Sequence, residues 1–138
     1  MSTLMRERRS VIDEAIHAEP SLADHRDILG AVVDRFEAEG FDTVYIDYKG
    51  ETSSVEWEPN RSIRIGKPSA SSLFDVLHEL GHVLSGRKDD ELRNLAREED
   101  AWSQGWVWLE TTFPAKAKAL KGAFEARRAE CLGTYGAR

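Results

Sequence analysis

Residues 72–84 read Ser-Leu-Phe-Asp-Val-Leu-His-Glu-Leu-Gly-His-Val-Leu, and this stretch decides how the rest of the chain is arranged. Apolar residues recur in it at helical spacing, so Leu77 and Leu80 lie on a face that packs into a core. The preceding segment, Pro68–Ser72, combines a proline with several serines, which is typical of a helix start. Gly86 follows at the position where a helix commonly ends. The sequence therefore predicts a buried amphipathic helix.

The same helix carries two histidines and a glutamate at a spacing that suits a metal ion. His78 and His82 are four residues apart, so both imidazoles lie on one helix face and can reach a single ion. Glu79 is about 100° around the helix from His78, beside the ion, where a general base belongs. Gly81 removes side-chain bulk from the histidine face. The motif predicts a zinc site with His78 and His82 as ligands and Glu79 as the catalytic base.

Zinc requires at least a third protein ligand, and acidic residues of the next predicted helix are the candidates. Glu99 falls in the middle of an apolar stripe, where a carboxylate would be buried and would need a partner such as a metal. The stripe consists of Leu92, Leu95, Trp102, Trp106 and Leu109. Glu98 instead shares a face with Ala101 and Gly105, whose small size would allow a close approach to the histidine helix. The helical pattern by itself leaves Glu98 and Glu99 open as alternatives.

The rest of the chain predicts an α+β fold. Apolar spacing predicts N-terminal helices, and the stripe of the second consists of Ile28, Leu29, Val32, Val33 and Phe36. From Phe41 the period changes to two, and short connections predict a small three-stranded antiparallel sheet. After the histidine helix, two C-terminal helices follow, from about Asp89 to Thr111 and from about Ala115 to Leu132. We expect a single domain that covers residues 1–138.

Composition excludes several classes of protein. The chain has 138 residues and a formal net charge of −6, which argues against general nucleic-acid binding, because such binding depends on a basic surface. No apolar run reaches the roughly 18 to 20 residues of a membrane helix, and the N-terminus lacks the apolar stretch of a secretory signal. Cys131 is the only cysteine, which excludes an internal disulfide. We expect a cytoplasmic protein without a membrane partner.

The arrangement resembles the ImmA/IrrE family of small zinc metallopeptidases over residues 41–114. In that family a short strand and a loop precede a helix that ends in His-Glu-Leu-Gly-His, as Ile63–Ile65 and Leu73–His82 do here. Its downstream motif is Glu-x-Glu-Ala-Asn, and Glu98–Trp102 matches it with Asp for the second Glu and Trp for Asn. The Trp removes a polar side chain that could steady a histidine. The resemblance implies that Glu98 is the third zinc ligand.

The resemblance further implies a zincin-like fold and a zinc-dependent metalloendopeptidase that hydrolyses a peptide bond of a protein substrate, by analogy a regulatory protein such as a repressor. Glu79 would move the protons, and the substrate would pair with an edge strand, for which Arg61–Gly66 is the candidate. Tyr45, Tyr48 and Tyr135 are candidate donors to the oxyanion. The alternative is a non-catalytic zincin-like protein that binds zinc or a regulator without turnover.

Overall fold

The computed structural model describes the backbone of residues 3–86 and 95–136 and the side chains of residues 11–86 and 95–133. Within these ranges the chain forms five α-helices, a 3-10 helix and a three-stranded sheet, so the predicted α+β class is confirmed. In chain order the elements are α1 (Thr3–Ala18), a 3-10 helix (Pro20–His25), α2 (Arg26–Ala38), β1 (Thr43–Ile46), β2 (Ser54–Glu56), β3 (Ser62–Ile65), α3 (Ser72–Ser85), α4 (Leu95–Thr112) and α5 (Pro114–Gly136). The first residues predicted for α4, 89–94, lie outside the described ranges.

The chain divides into two compact units, Met1–Val76 and Leu77–Arg138, and the boundary falls inside α3. The single domain that the sequence indicates for residues 1–138 stays a prediction. Among the helices of the described ranges, none has the length and apolar character that crossing a membrane requires.

The α2 helix has the amphipathic pattern that its sequence predicts. Its stripe residues are all buried, namely Ile28, Leu29, Val32, Val33 and Phe36. Ile12 and Ala15 of α1 are also buried, so both helices contribute apolar side chains to the core of the first unit. Gly40 follows α2 with a φ of 94°, a left-handed conformation that glycine adopts without strain. The predicted N-terminal helices are therefore confirmed.

The sheet is mixed, which corrects the expectation of an antiparallel one. The strand order is β1-β3-β2; β3 pairs parallel with β1 and antiparallel with β2. The physical reason is the β1–β2 connection, which crosses the end of β3: the Asp47 amide donates to the Ile65 carbonyl over 2.8 Å, and the Gly66 amide to Ser53 Oγ over 3.0 Å. A Cβ at Gly66 would lie 2.9 Å from the Thr52 carbonyl carbon, so the crossing requires glycine there.

This topology places β3 in the centre of the sheet. The candidate for a substrate-pairing edge strand, Arg61–Gly66, is therefore wrong, because β3 already pairs on both sides. The edges of the three-stranded sheet are β1 and β2. Arg64 of β3 instead makes a side-chain hydrogen bond to the neighbouring strand β2: its Nε donates to Ser54 Oγ over 3.1 Å.

The second unit contains α4 and α5, which are joined by the single residue Phe113. The Phe113 amide donates to the Leu109 carbonyl over 2.7 Å, and Pro114 begins α5, where its missing N–H costs nothing. The two helices fold back on each other, because Trp102 and Phe124 are in contact with ring centroids 5.4 Å apart. Both predicted C-terminal helices are thus present in the described ranges.

Candidate metal centre

The α3 helix presents both predicted histidines to the first turn of α4. The ring centroids of His78 and His82 lie 4.7 Å apart. Their Nε2 atoms lie 2.7 Å and 3.1 Å, respectively, from one and the same atom, Oε2 of Glu98. Two imidazole nitrogens and one carboxylate oxygen from two helices therefore converge on a single small volume.

Burial separates the two acidic residues that the helical pattern left open: Glu98 is buried, with 2% exposure, and Glu99 is exposed. Of the predicted apolar stripe, Trp102 and Leu109 are buried, but Leu95, at the start of α4, is 40% exposed, so Glu99 does not lie at the centre of the buried face. The buried residues of α4 are Glu98, Ala101, Trp102, Gly105 and Leu109. The buried face is thus the one on which Ala101 and Gly105 lie.

Glycines on both helices allow α3 and α4 to touch through their main chains. A Cβ added at Gly81 would lie 1.7 Å from the carbonyl oxygen of Ala101, and one at Gly105 would lie 2.3 Å from the carbonyl oxygen of Leu77. No side chain fits at either position. We call the contact of these four residues the α3–α4 seam. It brings Glu98, one turn before Ala101 on the same face, within reach of the histidines.

Glu98 is an ionised group held in a buried place. Burial by itself would raise the pKa of its carboxyl group, but the hydrogen bonds from His78 and His82, together with their charge, outweigh burial and hold this pKa well below its usual range. Because an ionised carboxylate can only accept hydrogen bonds, the two Nε2 atoms are the donors. A buried carboxylate and two imidazoles together provide ligand atoms of the kind that bind a metal cation.

Glu79 lies beside the histidine pair and is also buried, with 4% exposure. Its Oε1 atom lies 3.6 Å from Nδ1 of His78. The potential ligand atoms of His78, Glu79 and His82 all lie within 4.8 Å of one another, so this cluster could hold a metal ion. With the contacts of Glu98, the structure brings all four predicted site residues together.

An aromatic group borders the site on one side. The indole of Trp102 stacks on the imidazole of His78, with ring centroids 4.4 Å apart and an angle of 5° between the planes. Behind it, Phe124 of α5 contacts Trp102 edge-on and lies 4.9 Å from the ring centroid of Trp106. The sequence places Trp102 in the core and gives no sign of this stacking, which depends on how α4 meets α3.

A small cavity lies next to His82. Its volume is about 160 Å³, and its lining is formed by His82, Ser85, Gly86, Ala96, Arg97 and Asp100. Ser85 Oγ donates a hydrogen bond to Asp100 Oδ2 over 2.5 Å. Asp100 is the residue that aligns with the second Glu of the family motif, whereas neither Ser85 nor Arg97 was singled out from the sequence.

The tyrosines predicted as oxyanion donors have other partners where the structure describes them. The Tyr45 hydroxyl donates to Glu56 Oε1 over 2.5 Å, and the Tyr48 hydroxyl donates to Glu14. These hydrogen bonds to carboxylates, with some burial, raise the pKa of both tyrosines. The side chain of Tyr135 lies outside the described residues.

The spacing of His78, Glu79 and His82 on one helix fits a zincin motif. Comparisons with protein families, with curated proteins and with solved structures found no match to this chain.

Proposed function

We propose that this chain is a zinc-dependent metalloendopeptidase of the ImmA/IrrE-like kind. In this proposal His78, His82 and Glu98 hold the ion, and Glu79 is the catalytic base. The observation that carries it is the convergence of two imidazole Nε2 atoms on one buried carboxylate oxygen, at 2.7 Å and 3.1 Å, next to a second buried carboxylate.

The donor set supports zinc as the metal. Two imidazole nitrogens and one carboxylate oxygen are the ligands found in catalytic zinc sites of peptidases, and imidazole suits zinc better than it suits magnesium or calcium. Three protein ligands leave a fourth coordination position for a reactant, whereas structural zinc sites usually close it with a fourth protein ligand. The donor set therefore favours a catalytic role.

The chemistry divides between the ion and Glu79. A zinc ion in this site supplies Lewis acidity, which acidifies a water molecule and polarises a peptide carbonyl. The Glu79 carboxylate accepts the proton of the attacking water and then delivers it to the nitrogen of the leaving amine. Its burial, with 4% exposure, keeps bulk water from competing for the carboxylate. Glu98 stays ionised and contributes negative charge that binds the cation.

We further propose that the substrate is a protein or peptide. The cavity of about 160 Å³ beside His82 provides room for a small group next to the reacting centre. That the substrate is a regulatory protein such as a repressor rests on the family resemblance alone.

Metal analysis and hydrolysis together test the proposal. The purified chain is expected to carry about one zinc ion, and His78→Ala or His82→Ala to lose it. Glu79→Gln should keep the zinc and the fold but lose cleavage of an unfolded protein substrate, since it removes only the base. The exposed Glu99→Gln is the matched control and should retain both properties.

Two outcomes would contradict the proposal in different ways. If a variant with both His78→Ala and His82→Ala still bound a full equivalent of zinc, these residues would not be the metal ligands. Stoichiometric zinc in a parent chain that cleaves no peptide bond would favour the alternative, a non-catalytic zincin-like binding or regulatory protein.

A further inference from the structure

We propose that Trp102 is a positioning residue that fixes the ring plane of His78 by stacking, in place of a hydrogen bond to the imidazole. The inference rests on the proposed metal site, because a fixed ring plane is useful only if His78 is a ligand. It concerns how the ligand is held and not which residues are ligands.

The contact between the two rings is close and nearly parallel. Their centroids lie 4.4 Å apart and their planes differ by 5°, at the short end of the distances at which aromatic rings stack. The ring of His82, by comparison, is tilted by 54° from that of His78. One face of the His78 ring is therefore covered by a surface parallel to it, which restricts rotation of the imidazole about χ2.

Trp102 can serve as such a surface because it is itself immobilised. Its side chain is fully buried, with 0% exposure, and Phe124 contacts it edge-on at a centroid distance of 5.4 Å with 74° between the planes. Phe124 is in turn 2% exposed and contacts Trp106. The ring plane of His78 is thus supported through α4 by a residue of α5.

The indole N–H group of Trp102 does not direct the ring towards an acceptor among the described residues. Within the described part of the chain, its Nε1 atom is buried without a hydrogen-bond partner. Leaving a buried donor unpaired costs about 1 to 3 kcal/mol, so most buried indoles are turned towards an acceptor. Here the indole is aligned with the imidazole, at an angle of 5° between the planes, so the stacking contact is part of what holds its orientation.

His78 has a reason to need this support. A metal-binding histidine usually donates its other ring N–H group to a carboxylate or carbonyl, and that bond fixes its orientation. The carboxylate beside Nδ1 of His78 is Glu79, whose Oε1 lies 3.6 Å away, beyond hydrogen-bonding distance. A stacked ring supplies the orientation that this weak contact does not.

Substitutions that separate stacking from volume test the inference by zinc affinity. Trp102→Phe keeps an aromatic ring and removes the indole N–H, so it should bind zinc within a few-fold of the parent. Trp102→Leu removes the stacked ring and should weaken zinc binding by about 10- to 100-fold, as loss of an orienting partner typically does. Trp106→Leu is the control, because Trp106 contacts Phe124 like Trp102; it should leave the affinity unchanged.

Cobalt substitution adds a readout that loss of packing alone would not change. The d–d absorption of Co²⁺ depends on ligand orientation, so it should be altered in Trp102→Leu and restored in Trp102→Phe, while Trp106→Leu resembles the parent. Equal zinc affinity of Trp102→Leu and parent would overturn the inference. So would an equal loss in Trp102→Phe, because the stacked ring would then not be what matters.

The parent protein offers a test that does not depend on any variant folding. A stacked indole shifts the ring protons of the imidazole below it upfield, so the NMR signals of His78 should lie upfield of those of His82. Unshifted His78 signals would overturn the inference. A parent chain that binds no zinc would instead contradict the proposed function, and the two failures are distinguishable.

Discussion

The α3–α4 seam and the α5 helix belong to the same unit but depend on opposite kinds of contact. In the seam, main chains touch through Gly81 and Gly105, and no side chain fits between them. The α5 helix has 23 residues, yet among its described side chains only Ala117 and Phe124 are buried. The difference teaches that the metal site depends on backbone contact, whereas the one large side chain that α5 buries, among those described, is Phe124.

The largest effect is expected from Gly81→Ala. The new Cβ would meet the carbonyl oxygen of Ala101 at 1.7 Å, so α3 and α4 must separate. We expect a loss of more than about 5 kcal/mol in the free energy of unfolding, enough to prevent folding of a small domain. Urea unfolding followed by circular dichroism measures it. A variant within about 1 kcal/mol of the parent would show that the seam is not close-packed.

Phe124→Ala tests the anchor of α5. Phe124 is 2% exposed and contacts Trp102 and Trp106, so its truncation should leave a cavity and cost about 3 to 5 kcal/mol. The neighbouring exposed residue is the control: Glu125→Ala should change the free energy of unfolding by less than about 0.5 kcal/mol. If both substitutions changed the free energy of unfolding equally, Phe124 would not be the residue that anchors α5.

Glu98→Ala tests the candidate metal site that lies next to the seam. Because Glu98 Oε2 contacts both histidine Nε2 atoms, its removal should weaken zinc binding by about 100-fold or more, or roughly 2.7 kcal/mol. Glu99→Ala removes a neighbouring exposed carboxylate and should have a much smaller effect. Competition with a chromophoric chelator measures both affinities. If Glu99→Ala were the more damaging change, the third ligand would be misassigned.

The smallest effect is expected from Gly122→Ala on α5, which we compare with Gly81→Ala on α3. A Cβ at Gly122 has no neighbour within 4 Å, so Gly122→Ala should stabilise the helix, by about 0.5 to 1 kcal/mol. The same substitution thus has opposite signs at positions 81 and 122. Thermal or urea unfolding of the two variants side by side tests this, and destabilisation by Gly122→Ala would mean that α5 packs more closely than described.

The sequence predicts the histidine helix well because its signals are local. Helical spacing places Leu77, Leu80 and both histidines, and the structure forms α3 over Ser72–Ser85. The sequence also shows that two small residues, Ala101 and Gly105, share one face of α4 with Glu98. Local periodicity determines which residues share a helix face, and that is sufficient to place the candidate site on two helices.

The features that the sequence did not predict depend on contacts between distant residues. The apolar pattern misplaces the centre of the buried face of α4, because it counts Leu95 as core, although Leu95 lies at the exposed start of the helix. The parallel pairing of β1 with β3 follows from hydrogen bonds such as Asp47 to Ile65, which short connections do not reveal. The stacking of Trp102 on His78 likewise has no local signal.

The Gly81–Ala101 contact also has a genetic consequence. Every missense change of a glycine codon introduces a side chain that begins with a Cβ, so no replacement at position 81 avoids the clash with the carbonyl oxygen. Ala101 contributes a main-chain atom that all residues possess, and only the space around its own side chain limits what can stand there. The coding sequence is therefore constrained more strictly at position 81 than at position 101, and the Gly105–Leu77 contact reverses the roles of the two helices, with the strict position on α4.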